Sequence, residues 1–386
     1  MARSPSTPPA LLAAIVLFAA ITPAVLMTAP ALAAQLASQW QLSPGQIGDL
    51  FSAELGAMSL ATLPAIWWLK RVNWRLAALL AGTLFVTGNL ASAWAEGYTT
   101  LVILRFLTAL AGGSLMILCL SSAATTDNPS RVYGLWVMGQ LVLGAIGLAL
   151  LPKLFASQGL ASGYLLLAAL GLLVLPLARA FPSGAQSPAQ ARSEDYGAPP
   201  LRVGLGILGL LGFYIALSGV WTFIGAMGES AGLDAQANGN VLAIATLMGI
   251  LGAVIAAVIG ERLPRVPSLW LGFGLMALST LLLLGQPQLA RFAIAALVFK
   301  FTWTYVLPFI LASLADLDPS GRLMNLSNLV IGGGLALGPA LAGRLIERQG
   351  GFDGLLLAAA VITLLSLLAV LGSRERGRAV ASFDSH

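Results

Sequence analysis

One cysteine and one histidine stand in 386 residues, and only 9 % of the residues are charged. The lone cysteine, Cys119, excludes a disulfide framework and a cysteine metal cluster. The lone histidine, His386, leaves none in the apolar stretches for a metal site or a proton relay. No glycine loop of the phosphate-cradling kind is present, so ATP is not expected to drive this chain directly. A soluble domain carries about 25 % charge. The 20 basic residues lie scattered between apolar runs rather than in one patch, so nucleic acid is not an expected partner. No cofactor is expected either.

What the chain has in abundance is apolar length. Apolar residues make up 58 % of it. Runs of about 20 residues recur from Leu11 to Gly372, each enough to cross a hydrocarbon core of about 30 Å. The runs predict helices over about residues 10–36, 46–69, 75–95, 99–122, 132–152 and 162–181, then 202–226, 238–260, 266–285, 290–314, 323–344 and 353–372. Pro182 to Pro200 is the one long polar stretch and reads as a linker. The expected division is a bundle over 1–181, a linker over 182–201, a second bundle over 202–373 and a tail over 374–386. A cleaved signal peptide ending near Ala31-Leu32-Ala33 is the weaker reading, because the stretch from Ala10 to Leu36 is too long for a signal core.

Basic residues set the orientation. With both termini cytoplasmic, fourteen lie on that side: Arg3, Lys70, Arg71, Arg75, Arg131, Arg179, Arg192, Arg202, Arg262, Arg265, Arg322, Arg374, Arg376 and Arg378. Only Lys153, Arg291, Arg344 and Arg348 lie on the other. That bias is the positive-inside pattern and calls for an even number of spans. The halves also repeat. Arg71 and Arg262, Asp127 and Asp318, and Arg131 and Arg322 are each 191 positions apart. Matching loops at one offset point to parallel repeats with a cargo site between them.

These features, with Leu42-Ser43-Pro44-Gly45-Gln46-Ile47-Gly48 before the second helix, resemble the major facilitator superfamily. Leu69-Lys70-Arg71-Val72-Asn73-Trp74-Arg75 stands where that family's signature loop belongs, with Lys70 for its aspartate and Asn73 for its glycine. Gly260-Glu261-Arg262-Leu263-Pro264-Arg265 keeps an acid before the arginine. Arg105 followed by Gly112-Gly113, and Gly334, Gly338-Pro339 and Gly343, complete the resemblance. The antiporter signature of the fifth helix is absent, since Gly139, Gly144 and Gly147 come without its proline. The resemblance implies an all-α membrane protein of twelve helices in two six-helix bundles, working by alternating access.

Three charges fall deep inside the runs: Glu54, Arg105 and Lys300. Each costs about 2.5–3.5 kcal/mol at a bilayer centre, so each needs a reason. Arg105 reads as a fork for a cargo carboxylate or as a helix-locking salt bridge. Lys300 reads as a cavity cation or as the partner of Glu54. Glu54 reads as a proton-coupling acid or as a fixed partner of either cation, with Asp49 as its rival. The three sum to +1, which an anionic cargo balances. Tyr214, Trp221, Trp303 and Tyr305 are candidates for an aromatic wall around it, and Gln140 for a polar contact. Pro23, Pro30 and Pro308 permit bending. Arg71, Asp127, Arg131, Glu261, Arg262, Asp318 and Arg322 are candidate gate charges, or else solvated loop charges contributing about 0–1 kcal/mol each.

The expected function is a monomeric secondary carrier in the inner membrane, moving a small organic anion with protons. An exporter of amphipathic compounds is the second reading. An integral-membrane lipid enzyme is the third, weakened because Asp316-Leu317-Asp318 is the only close acidic pair beside a run.

Overall fold

Backbone groups in hydrocarbon must find partners within their own segment, so an apolar chain of this kind folds as helices or a closed barrel. The computed structural model describes residues 7–184, 198–259, 262, 264–318 and 322–374, with only the backbone of Ile259, Arg322 and Asn325. Among these residues the regular structure is entirely helical.

The first crossing is broken into α1 (Pro9–Ile21), α2 (Ala24–Met27) and α3 (Ala29–Trp40). The breaks fall at Pro23 and just before Pro30, where a ring replaces a backbone donor. The second crossing is α4 (Pro44–Leu60) with α5 (Thr62–Trp68). Ser43 starts it with a reciprocal cap against Gln46. Then follow α6 (Trp74–Ala93), capped by Asn73, and α7 (Tyr98–Ala124). Next come α8 (Pro129–Gln158), capped by Asn128, and α9 (Ala161–Val174), which tightens into a 3-10 turn over Leu175–Ala180. The last six are α10 (Pro200–Ser230), α11 (Ala235–Ile259), α12 (Arg265–Leu281), α13 (Leu289–Ala315), α14 (Arg322–Gln349) and α15 (Asp353–Ser373).

Ten of these segments are long and apolar enough to cross a membrane. The other two expected spans are the broken first segment and the 17-residue α12. The fifth helix runs on through Pro152 to Gln158, six residues past its expected end. Pro152 removes one backbone donor, and α8 carries it as a local defect rather than a stop. Ala31-Leu32-Ala33, the possible cleavage site, lies inside α3, with Leu32 and Ala33 buried. Most of the expected linker and tail, with Arg3 and Glu261, lies outside the described residues.

The outside of the molecule is apolar. Ile66, Leu84, Leu173, Val258 and Leu368 are all more than half exposed. Apolar exposure on this scale marks a surface solvated by lipid. Inside, one large apolar cluster joins the first six crossings (α1 to α9) to the last six (α10 to α15). From the first six it takes only residues such as Leu26, Leu36, Phe51, Leu148 and Phe155. A second cluster, including Phe18, Trp74, Leu115, Trp136 and Phe181, belongs to the first six alone.

The seam between the two sets is clearest where α4 meets α14. They run antiparallel. Gly45 meets Glu347, Gly48 meets Pro339, Ser52 meets Ala336 and Ser59 meets Gly332. At Gly48 a β-carbon would collide with the Pro339 backbone, so only glycine permits this approach. This register places the loop before α4 beside the end of α14. We call that end the far face, and the opposite end, where Thr7 and Arg374 lie, the terminal face.

Candidate functional site

A charge buried among helices must be paired or otherwise solvated. The first-half charges are paired with each other. The Arg105 guanidinium on α7 forms an ion pair with Glu54 on α4. It also donates to Asn89 Oδ1 at 2.8 Å and to Ser92 Oγ at 3.4 Å, both on α6. Its Cζ lies 4.8 Å from the centre of the Tyr164 ring on α9. Arg105 is 1 % exposed and Glu54 6 %. Four crossings are thus tied by one guanidinium, and the pair is neutral as a unit. Of the two readings the sequence left open, this geometry is the helix-locking one. Asp49, the rival acid, pairs with Arg344 on α14 at 2.8 Å, near the far face.

Lys300 is different. It sits on α13, is 1 % exposed, and has no carboxylate partner among the described residues. Its Nζ lies 4.0 Å from the Trp221 ring centre and 4.1 Å from that of Trp303. Trp221 stacks at 9° on Phe299, and Trp303 meets Trp221 edge-on at 5.9 Å. Indole faces are the strongest aromatic partners for a cation. The alternative pairing of Lys300 with Glu54 is absent, because Arg105 holds that carboxylate. Tyr214, on α10, is buried and meets the Phe213 ring edge-on at 5.5 Å. Tyr305 does not join the cage; it stacks on Phe301 and meets Phe309 at a tilt farther along α13.

Two further side chains answer the prolines of the first crossing. In a regular helix the carbonyl of residue 19 accepts from the N–H of residue 23, and that of 26 from residue 30. Both donors here are prolines. Gln140 Nε2 on α8 donates to the Ala19 carbonyl at 3.0 Å. Trp221 Nε1 on α10 donates to the Leu26 carbonyl at 2.8 Å. Gln140, a candidate cargo contact by sequence, is here engaged with the backbone of α1.

The candidate gate charges of the first half bond within that half. Arg71 lies over the Trp67 ring at 4.7 Å. Asp127 accepts from both Thr7 N and Thr7 Oγ1, at 2.8 and 3.0 Å. Asp318 caps α14 through Leu323 N at 2.7 Å. Arg131 and Arg262 are exposed, Glu261 lies outside the described residues, and so does the Arg322 side chain. Asp316 pairs with Arg265.

The polar contacts that do cross the seam lie from mid-depth to the far face. The Glu347 carboxylate accepts from Gly45 N at 2.8 Å at the start of α4. Ser52 Oγ donates to the Ala336 carbonyl and accepts from Ala340 N at 3.0 Å, so it is inserted into the α14 ladder beside Pro339. Gln236 Nε2 donates to the Ala149 carbonyl at 2.9 Å. Sequence reasoning passed over Ser52, Arg344 and Glu347. Their signal was spacing: Gly45, Gly48, Ser52, Gly56 and Ser59 form a small-residue stripe at helical period on α4. A cavity of about 230 Å³ opens on the seam near the far face, lined by Gln35, Leu148, Glu229 and Asn238 among others. None of the cage residues lines it, so the Lys300 cage is closed off from it. Among the described residues no three His, Cys, Asp or Glu side chains gather as a metal site.

The chain was compared with known proteins. The Major Facilitator Superfamily matches residues 10–316 and 205–383. No curated protein matches. A bacterial homologue of the human lysosomal transporter Spinster, inward-facing and occupied, superposes with a TM-score of 0.72 at 15 % identity, covering 94 % of this chain and 95 % of that one. The same homologue, inward-facing and unoccupied, gives 0.67 at 16 %, covering 95 % and 97 %. A mutant of the nucleoside transporter NupG gives 0.76 at 13 %, covering 95 % and 100 %. At these identities the likeness is one of fold. With an all-helical architecture, ten helices long and apolar enough to cross a membrane among the described residues and a family match over most of its length, the chain belongs to the Major Facilitator Superfamily and is a transporter rather than an enzyme.

Proposed function

We propose that this transporter carries a small organic anion, with Lys300 as the cation that meets it. One observation carries the reading. Of the three deep charges, Glu54 and Arg105 cancel each other, and only Lys300 is left without a carboxylate. A carboxylate arriving at Lys300 supplies the missing charge, and the Trp221 and Trp303 rings supply an apolar wall for its body. Binding purified protein to a panel of small carboxylates tests this. Lys300→Ala is expected to abolish stabilisation by the carboxylate that wild type binds, while Arg105→Lys retains it. Full stabilisation in Lys300→Ala overturns the reading.

The bundles over 1–181 and 202–373 are proposed as the two rocking bodies. The basic bias supports an inner-membrane orientation with the terminal face cytoplasmic. On that orientation the seam contacts at the far face, Gly45 with Glu347 and Asp49 with Arg344, support an inward-facing reading. Proton coupling is assigned to Glu54: protonating it releases Arg105 and loosens four crossings at once. The aromatic cage also favours a second reading, export of amphipathic cations or neutral compounds. Stabilisation by those ligands alone, with none by carboxylates, selects it.

A further inference from the structure

Trp221 belongs to two systems at once. Its ring is part of the Lys300 cage in the last six crossings, and its N–H reaches the Leu26 carbonyl in the first six. Trp221 is fully buried, and Leu26 is 7 % exposed. The Leu26 carbonyl is a backbone acceptor that Pro30 cannot serve. The Thr28 N–H, two residues on, turns toward the same oxygen, and the Trp221 N–H supplies its remaining partner. One turn farther along α10, Gly225 is pressed on Pro30, and a β-carbon there would lie 2.7 Å from the Pro30 carbonyl oxygen. Trp221 and Gly225 thus share one face of α10, and α10 docks by that face on the break that Pro30 makes.

We propose that Trp221 is a positioning residue that links the state of the Lys300 site to closure of the far face. The Lys300 ammonium and Phe299 hold the indole in the plane that aims its N–H at Leu26. An anion that draws Nζ off the indole frees the ring to turn, and the seam then loses its bond to the carbonyl Pro30 left open. Gln140 on Ala19 is the built-in comparison. It serves the other proline-freed carbonyl within the first six crossings, where no seam opens. The coupling to cargo rests on the anion reading; the latch itself does not.

The test is a far-face distance measurement on the full-length protein, with spin labels on Ser38→Cys and Arg348→Cys. Trp221→Phe keeps the ring and removes the donor. It is expected to raise the ratio of far-open to far-closed protein by about fivefold, the worth of one hydrogen bond. Pro30→Ala gives Leu26 its own helical donor, so Trp221→Phe is expected to add little in that background. Lys300→Met is expected to open the far face as Trp221→Phe does, with no further effect in the double variant. Gln140→Leu is expected to lower the melting temperature without moving the distance distribution. Equal effects of Trp221→Phe with and without Pro30→Ala overturn the latch, and so does an unchanged distance in Trp221→Phe. An unchanged distance in Lys300→Met overturns the link to the cage. Benzoate, added to wild type as a probe, is expected to shift the distance outward. If benzoate and other carboxylates do nothing while the variants behave as stated, the latch stands and the anion reading of Lys300 falls.

Discussion

At the scale of residues, three charges in a chain almost free of buried charge divide into a pair and a remainder. Removing one member of a buried pair leaves the other uncompensated, at a cost of about 3–5 kcal/mol. Arg105→Leu and Glu54→Gln are therefore both expected to lower the thermal stability of the purified transporter steeply, since each leaves one buried charge without its partner. The same Glu54→Gln variant is expected to lose accumulation against a gradient and to keep exchange. Concentrative uptake by Glu54→Gln at the wild-type level removes Glu54 from the coupling role. That these charges need partners was legible in the sequence, because charges in apolar runs are expensive. Which cation Glu54 takes was not. Each residue on a helix turns the side chain by 100°, and the run alone gives depth but not direction. Trp303, three residues from Lys300, was foreseeable as a neighbour on the same face. Trp221, on another helix, reaches the cage only through packing.

At the scale of elements, α4 and α14 make the seam with small residues facing each other. Gly48→Val puts a branched side chain where the Pro339 backbone lies. The expected result is separation of α4 from α14 and greater labelling of a cysteine at Asp49 from the far side. Unchanged labelling shows that α14 shifts without opening. The glycines of α14 were visible in the sequence as a stripe, and so were the boundaries of most helices, because apolar length and caps such as Ser43 and Asn73 are local properties. The breaks in the first crossing were foreshadowed by Pro23 and Pro30. The donors that satisfy the freed carbonyls, Gln140 and Trp221, come from distant segments that no local pattern identifies.

At the scale of the whole molecule, the large apolar cluster draws on the first six crossings only toward the far face, while their second cluster stays private to them near the terminal face. On the proposal that the two bundles rock, the shared core is what parts when the far face opens, while the private core stays intact. Orientation is testable apart from mechanism. Cys119 is the only cysteine and is buried, so single cysteines introduced at Thr7 and at Gln349 report cleanly. Thr7→Cys is expected to react only with a reagent that enters the cytoplasm, and Gln349→Cys with one that does not. The reverse pattern inverts the topology read from the basic residues.

The lone ammonium of Lys300 also has an electrical meaning. A carrier that swings one unmatched positive charge through part of the bilayer field does work against the membrane potential, about 2.3 kcal/mol per charge for a full crossing at 100 mV. When a monovalent anion sits on that ammonium with Glu54 still ionised, as in exchange without protons, the moving unit is neutral. The return of the empty carrier is then the step that feels voltage, and the loaded step does not. Transient currents in the absence of cargo, quenched when it is added and missing from Lys300→Met, are the expected signature.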